Sequence, residues 1–363
     1  MKKKMIIYMS KMSIGGMEKV LLNMLKQSNY TKNYDVTVYL LYSKEQKYLE
    51  ELKKMVNVKL LWKYKWNIFG KILCAFRIGF DLIKISICKC NYDVAICYPY
   101  QHPILAKLTL NSSKRTIIFI HNNLELKYGD ALEAHCKKMQ FDKFSKVVCV
   151  SNNAIASFKR IYPNYEGEVL AINNYIDGED ILRKSNEIVS DVKEEKNIQT
   201  FINIARHDEK PKGITKIIKA SYELKKNNYE FRVILVGDGP SHNDYLKLVK
   251  KLNLEDVVIM VGNKVNPYPY LKMSNCFVFS SNYEGYGIVL DEARILGKPI
   301  ITTDVADAKL IVNEGYGILC DNSDEGIYIG MKKYLDNGYS IKNKFDYKAF
   351  NNRITKALDR IVK

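Results

Sequence analysis

The sequence predicts an α/β protein built from two parallel-sheet domains that face a cleft. Three observations carry that expectation. Short apolar runs rich in Val, Ile and Tyr alternate with longer segments of helical periodicity, the pattern of open parallel sheets with helices on both faces. The alternation breaks at a polar, charged stretch over residues 178–197 and then starts again. The chain has 363 residues, and at about 150 residues per domain that length suits two domains. The expected organisation is a first domain over 1–177, a linker over 178–197, a second domain over 198–340 and a closing helix over 341–363.

Residues 4–9 form the first expected strand, followed by Gly15-Gly16 and a helix over 17–27. Val20, Leu21, Met24 and Leu25 fall on one face of that helix at 3–4 spacing. Strands are expected at 35–42 and 56–61 with a helix at 45–54 between them, then a long helix over 67–88. Strands at 93–97, 115–121, 146–150 and 169–172, with a helix at 153–160, complete the first domain. The run Thr116-Ile-Ile-Phe-Ile is uninterrupted and apolar, as a strand buried on both faces should be. In the second domain, strands are expected at 199–205, 231–236, 257–261, 276–280 and 299–303. Helices are expected at 214–227, 243–252, 269–273 and 288–296. Residues 347–362 read as an amphipathic helix, with Phe350, Ile354, Leu358 and Ile361 on one face.

Composition narrows the function classes. An apolar share of 47% beside 27% charged residues excludes disorder and fibrous architecture. The chain carries 57 Lys+Arg against 40 Asp+Glu, a net of +17. Up to Tyr165 the count is 28 basic and 11 acidic, 28 − 11 = +17, and from Glu166 onward it is 29 and 29. The excess therefore sits in the first half, which suggests an anionic partner for that half. The apolar run after Lys2-Lys3-Lys4 is five residues long, too short for a secretory signal, and no stretch reaches the roughly 18–20 residues of a membrane span. Eight cysteines without a Cys-x2-Cys pair read as buried free thiols of a reducing cytoplasm. Five histidines and no cluster with ligand spacing lead us to expect no metal site.

Candidate chemistry lies where open α/β sheets bind ligands, beyond the carboxyl ends of the strands. Gly15 and Gly16 follow the first strand and open a helix, where backbone N–H groups can meet an anion; alone, such a pair is also an ordinary tight turn. Arg206 and Lys212 follow the first strand of the second domain, just ahead of Gly213 and a helix, and two cations there suit a pyrophosphate-like anion. Gly237 sits in the turn Val236-Gly-Asp-Gly-Pro240 after the next strand. The segment Glu284-Gly285-Tyr286-Gly287-Ile288-Val-Leu-Asp-Glu292 carries two carboxylates around a strand-to-helix turn. Amides near Ile288 would meet an anion while Glu284 and Glu292 accept bonds from hydroxyls, a combination that suits a sugar nucleotide.

At these residues the chain resembles the family 4 glycosyltransferases. The match rests on Glu284-x7-Glu292 with Gly297-Lys298-Pro299, supported by Arg206…Lys212-Gly213, Gly237-Asp-Gly-Pro240, Gly15-Gly16, Val150-Ser151 and Ile172-Asn173-Asn174. It departs from the family at Val305-Ala306-Asp307, where a glycine pair is usual, at Tyr175 and at His207. The resemblance implies the GT-B fold, two Rossmann-like domains facing a cleft with the closing helix packed back on the first. It also implies catalysis with retention, without a metal or other cofactor, from a UDP-sugar or similar nucleotide-sugar donor to a hydroxyl of a glycan or lipid-linked acceptor in capsule or related surface-polysaccharide synthesis. Arg206 and Lys212 would clamp the diphosphate, and Glu284 would hold the donor sugar. The backbone of Gly285, Tyr286 and Gly287 would support sugar and phosphate. Glu292 would bind the ribose, Gly16 would close on the phosphates, and His121 would stand near the sugar.

Residues 53–89 hold nine basic residues against the single acid Asp81, interleaved with Trp62, Trp66, Phe69, Phe76 and Phe80. Such a segment fits an anionic membrane surface and a cytoplasmic enzyme peripheral to the inner face of the membrane; equally, it would pack its apolar face on the sheet with its lysines solvated. A nucleic-acid-binding protein would use the same charge, but no nucleic-acid motif is present and the Glu-x7-Glu segment would have no role. A sugar-nucleotide epimerase would share the diphosphate site, yet needs acid/base groups in a first domain poor in histidine.

Overall fold

The computed structural model of the protein describes residues 2–12, 16–41, 48–60, 76, 79–80, 91–195 and 197–363. The chain divides into two compact units, Met1–Tyr175 with Ala349–Lys363, and Ile176–Lys348. In the first, seven parallel strands run in the order β3-β2-β1-β4-β5-β6-β7. They are β1 (Lys3–Met9), β2 (Tyr34–Leu40), β3 (Asn57–Leu60), β4 (Val94–Cys97), β5 (Thr116–Ile120), β6 (Lys146–Cys149) and β7 (Glu168–Ala171). Met5 pairs with Val36 on one side and Val94 on the other, so β1 is central, and Met5–Met9 are buried. The edge strand β3 alternates exposed and half-buried residues. Helix Gly16–Gln27 buries Val20, Leu21, Met24 and Leu25, as its periodicity requires.

The second unit holds six parallel strands in the order β10-β9-β8-β11-β12-β13. They are β8 (Gln199–Ile204), β9 (Phe231–Val236), β10 (Val258–Gly262), β11 (Cys276–Phe279), β12 (Ile300–Thr303) and β13 (Gly317–Cys320). Its core packs Phe201, Ile217, Val233, Val278 and Met331 between sheet and helices. In each sheet the strand order reverses beside the first strand, between β1 and β4 and between β8 and β11. At such a switch point the flanking loops part and leave a crevice at the carboxyl edge.

Residues 178–197, expected as a linker, begin with helix Gly178–Lys184 and lie within the second unit. Asp177 caps that helix through its side chain, and Asp180 pairs with Lys184 at 2.5 Å, so the polar composition is that of a capped surface helix. The closing helix spans Tyr347–Ile361 and buries Phe350, Ile354, Leu358 and Ile361. Its end is held within the first unit: Tyr30 Oη donates to the Leu358 carbonyl at 3.1 Å, Tyr34 Oη to that of Val362 at 3.2 Å and Arg115 to the same carbonyl at 2.7 Å. These donors satisfy carbonyls that a helix end leaves open. Strand β13 and helices Pro103–Ser112, Leu132–Met139 and Asp324–Asn337 have no counterpart in the sequence-based expectation. Apart from Phe76, Gly79 and Phe80, the helix expected over 67–88 lies outside the described residues, as do most of the basic aromatic segment and Cys74, Cys88 and Cys90. Cys97, Cys136, Cys149, Cys276 and Cys320 are buried free thiols, and burial pushes those of Cys97 and Cys149 up to about 12.

Candidate active site

The loops after β8 and β11 meet at the switch point of the second sheet and bring Lys212 to Glu284. After β8 the chain passes Arg206 and turns into the short helix Glu209–Lys212. Loop-to-loop bonds fix this segment: the Asn282 amide donates to the Pro211 carbonyl at 2.8 Å, Asn282 Nδ2 to the Lys210 carbonyl at 3.0 Å and Ser280 Oγ to the Lys212 carbonyl at 3.0 Å. Lys212 Nζ then donates to Glu284 Oε1, and Ser281 Oγ donates to the same oxygen at 2.9 Å. The two side chains are 24% and 15% exposed, so the pair stands at an open mouth rather than in the core. Oε2 of Glu284 has no partner among the described residues and remains an acceptor. Arg206 is exposed, and among the described residues its guanidinium makes no hydrogen bond or ion pair. An acceptor oxygen, a cation already placed and a second cation free to move together can hold a hydroxylated group next to an anion.

Behind Arg206, the loops after β8 and β9 are laced together. His207 donates its amide to the Asp238 carbonyl at 3.0 Å and accepts at its own carbonyl from the Ser241 amide at 2.9 Å. The His207 ring stacks on His242 with Nδ1 atoms 2.8 Å apart. Gly237 has φ +147°, and a Cβ there would lie 1.8 Å from the Ala205 carbonyl oxygen, so no other residue lets the loops pass this closely. Burial and the neighbouring His242 hold the His207 imidazole down to about 4, and it is neutral near pH 7.

Gly287, with φ +81°, begins helix Ile288–Ile295. The Tyr286 ring turns inward, where Oη donates to Asp291 at 2.5 Å, so the turn presents backbone rather than side chain at Gly285–Gly287. Asp291 and Arg294, 1% and 5% exposed, form an ion pair beneath it. Arg294 also reaches Glu314 at 2.8 Å and lies 3.8 Å from the Phe345 ring centroid. One turn into the helix, Glu292 accepts at Oε1 from Tyr268 Oη at 2.9 Å.

Gly16 and His121 belong to the first unit, at the carboxyl ends of β1 and β5, and Gly15 lies outside the described residues. Gly16 is exposed, with nothing within 4 Å of a Cβ position. His121 Nε2 is 3.1 Å from the Tyr98 carbonyl. A carbonyl only accepts, so Nε2 carries the proton and Nδ1 is left as an acceptor. Burial holds this imidazole down to about 4, against the mild opposing effect of that hydrogen bond. His121 is thus built to accept a hydrogen bond, not to deliver a proton at neutral pH.

The sequence-based expectation missed Ser281, Asn282 and Tyr268. The polar run Ser280-Ser281-Asn282 between a strand end and Glu284 was a usable signal, since polar residues at a strand end suit a loop that carries function. Nothing in the sequence pairs Tyr268 with Glu292, 24 positions on.

Residues 184–360 match the family described as glycosyl transferases group 1. An N-acetylgalactosaminyltransferase of Campylobacter jejuni, named for an N-acetylgalactosamine-N,N'-diacetylbacillosaminyl-diphospho-undecaprenol substrate, is 29% identical over 159 residues, 42% of this chain and 42% of the relative. The N-acetyl-alpha-D-glucosaminyl L-malate synthase of Bacillus anthracis is 26% identical over 244 residues, 64% of this chain and 62% of the relative. The chain thus spans between 42% and 62% of the length of these relatives. Among solved structures, Anabaena HepE in complex with UDP and glucose superposes with a TM-score of 0.74 at 18% identity, over 98% of this chain and 99% of that one. Residues 184–360, which carry the six-stranded second sheet, thus belong to the glycosyl transferases group 1 family, and the fold of the chain is that of its glycosyltransferase structural neighbours.

Proposed function

We propose that this protein is a retaining glycosyltransferase that moves a sugar from a nucleotide donor, a UDP-sugar, to a hydroxyl of a glycan or lipid-linked acceptor during cell-surface polysaccharide synthesis. The observation that carries the proposal is the Lys212–Glu284 pair at the switch point, with Arg206 exposed on the same loop. Supporting it, the Anabaena neighbour is described with UDP and glucose, and the Campylobacter relative is named for a diphospho-undecaprenol substrate.

In this mechanism Arg206 and Lys212 bind the donor diphosphate, and Glu284 Oε2 accepts from a donor-sugar hydroxyl. Glu292 binds the ribose and Tyr268 sets its orientation. As the bond from the anomeric carbon to the diphosphate oxygen breaks, negative charge grows on the diphosphate. Lys212, already held in place, stabilises it without reorganising, the form of catalysis that contributes most in polar sites, and Arg206 adds a second positive charge. The acceptor oxygen bonds to the same face of that carbon, and its proton passes to the departing diphosphate oxygen. These two cations supply the counter-charge, so the proposal needs no metal or other cofactor. His121 Nδ1 accepts from a sugar hydroxyl.

In this reading the first unit presents the acceptor, and its excess of basic residues favours the anionic inner face of a membrane. Phe76 and Phe80 support this placement, being 76% and 67% exposed. No helix among the described residues is long and apolar enough to cross a membrane. A panel of nucleotide sugars, read by nucleotide diphosphate release with and without a lipid-linked acceptor, tests the activity. Release from at least one donor is expected, and release from none overturns it. Salt-sensitive co-sedimentation with vesicles containing phosphatidylglycerol tests the membrane placement, and equal binding to phosphatidylcholine vesicles contradicts it.

A further inference from the structure

Lys216 stands one helical turn beyond Lys212, in helix Ile214–Lys226, and is 7% exposed. Its ammonium donates to the Ser280 carbonyl at 2.8 Å, to Asn282 Oδ1 at 2.6 Å and to Asn322 Oδ1. Three N–H groups thus meet three neutral oxygens, drawn from the loop after β11 and the segment after β13. Among the described residues no carboxylate pairs with it. The two whose charge reaches it are engaged elsewhere: Glu209 with Tyr245 Oη at 2.8 Å and the Thr215 amide at 3.1 Å, and Asp324 with Lys219 at 2.6 Å. A Cβ added to Gly213 would lie 2.8 Å from Lys216 Nζ, which places this buried charge directly behind the Lys212–Gly213 backbone.

A buried cation without a carboxylate partner is expensive, and burial pulls its pKa below the ordinary lysine value. Simple packing would be served by an apolar residue at this point in the helix. What the ammonium adds is geometry: it closes three hydrogen bonds at once, two of them on Ser280 and Asn282, just before Glu284, and the third on Asn322. A neutral amine has only two N–H groups, and an apolar side chain has none.

We propose that Lys216 is a positioning residue for the reaction proposed above, holding the loop of Glu284 against the segment of Lys212 so that carboxylate and cation face the donor together. The inference rests on that reading for its chemistry, but the holding role can be measured without turnover. Lys216→Met keeps the length and apolar stem of the side chain and removes its donors. In full-length protein we expect amide hydrogen exchange over residues 281–287 to quicken about tenfold or more, with the rest of the second unit unchanged. Nucleotide diphosphate release should lose about tenfold or more in kcat, with donor KM within about threefold. Asn322→Leu removes one acceptor of Lys216 and, with it, the bond from Asn322 Nδ2 to the Asn282 carbonyl at 3.3 Å; it touches neither Lys212 nor Glu284, should give the same pattern more weakly and serves if Lys216→Met does not fold. Unchanged exchange over 281–287 overturns the proposal, and so does exchange that quickens uniformly across the second unit. Unchanged kcat overturns the catalytic consequence. If wild-type protein releases no nucleotide diphosphate from any donor, the functional reading fails, while the exchange comparison still decides the holding role.

Discussion

Arg294→Ala should strongly destabilise the second unit, through the ground on which the Glu-Gly-Tyr-Gly turn rests. Arg294 and Asp291 are 5% and 1% exposed, and their ion pair is the one charge partner that Asp291 has beneath the turn. Removing the guanidinium leaves the Asp291 carboxylate buried with only the Tyr286 hydroxyl, 2.5 Å away. Breaking a buried pair from one side typically removes about 3–5 kcal/mol. Loss of the cation over the Phe345 ring, 3.8 Å from its centroid, adds about 1 kcal/mol. For a unit of this size each kcal/mol lowers Tm by roughly 2–4 °C, so a fall of about 8–24 °C follows. Differential scanning calorimetry of the full chain reads it as a shift of one unit's transition, with the first unit's transition in place. Asp291→Leu combined with Arg294→Met should recover most of the loss, because a well-packed apolar pair replaces a buried ion pair at little cost. A fall of less than about 2 °C in Arg294→Ala, or a double variant worse than the single one, would refute the claim that this pair carries the turn.

Histidine burial predicts a pH response in both units. His121 and His207 are held down to about 4 by burial, against about 6.5 when unfolded. Between those values the unfolded chain binds more protons, so stability is complete above pH ~6.5 and falls as pH drops towards ~4, by up to about 3 kcal/mol per histidine. Urea midpoints measured from pH 7 to 5, where carboxylates stay largely ionised, should decline, and a flat profile contradicts this. Ala306 adopts φ +50°, a left-handed backbone that disfavours a side chain, at one of the positions that depart from the family's glycine pair. Ala306→Gly should raise stability by about 0.5–1 kcal/mol in thermal melts, and a lowered Tm would show that the strain is illusory.

Much of the closing helix and of the second unit was legible because their residues obey local rules. Phe350, Ile354, Leu358 and Ile361 announce the closing helix by spacing alone, and all four are buried. The Arg206, Lys212, Glu284 and Glu292 segments were legible because each follows a strand, and strand order then decides which of them meet. That Lys212 and Glu284 would touch required knowing that β8 and β11 are neighbours, which no local pattern encodes. Helix Asp324–Asn337 was missed for a different reason. Gly326 and Gly330 weaken its propensity, but a Cβ at Gly330 would lie 2.3 Å from Cys320 Sγ, so close packing on β13 demands glycine and overrides propensity. Helix Gly178–Lys184 was not legible within the stretch 178–197 because a capped, charged helix and a linker share one composition. Tyr268 and Lys216 act through partners distant in sequence, and their roles appear only once the loops are in place.

The most direct test of the account is nucleotide diphosphate release by Glu284→Ala, measured with the best donor of wild-type protein and beside its thermal melt. Glu284 accepts from Lys212 and Ser281 and keeps a second oxygen at the open mouth. Hydrogen bonds to a charged group are worth about 1.5–3 kcal/mol each, so losing one or two in the transition state predicts a fall of about 10- to 10⁴-fold. The pair is partly exposed, so Tm should move by only a few degrees. Arg206→Ala, exposed and without a partner among the described residues, should cost a comparable factor with no change in Tm. Near-wild-type release by either variant would contradict the assignment of this switch-point pair as the donor site.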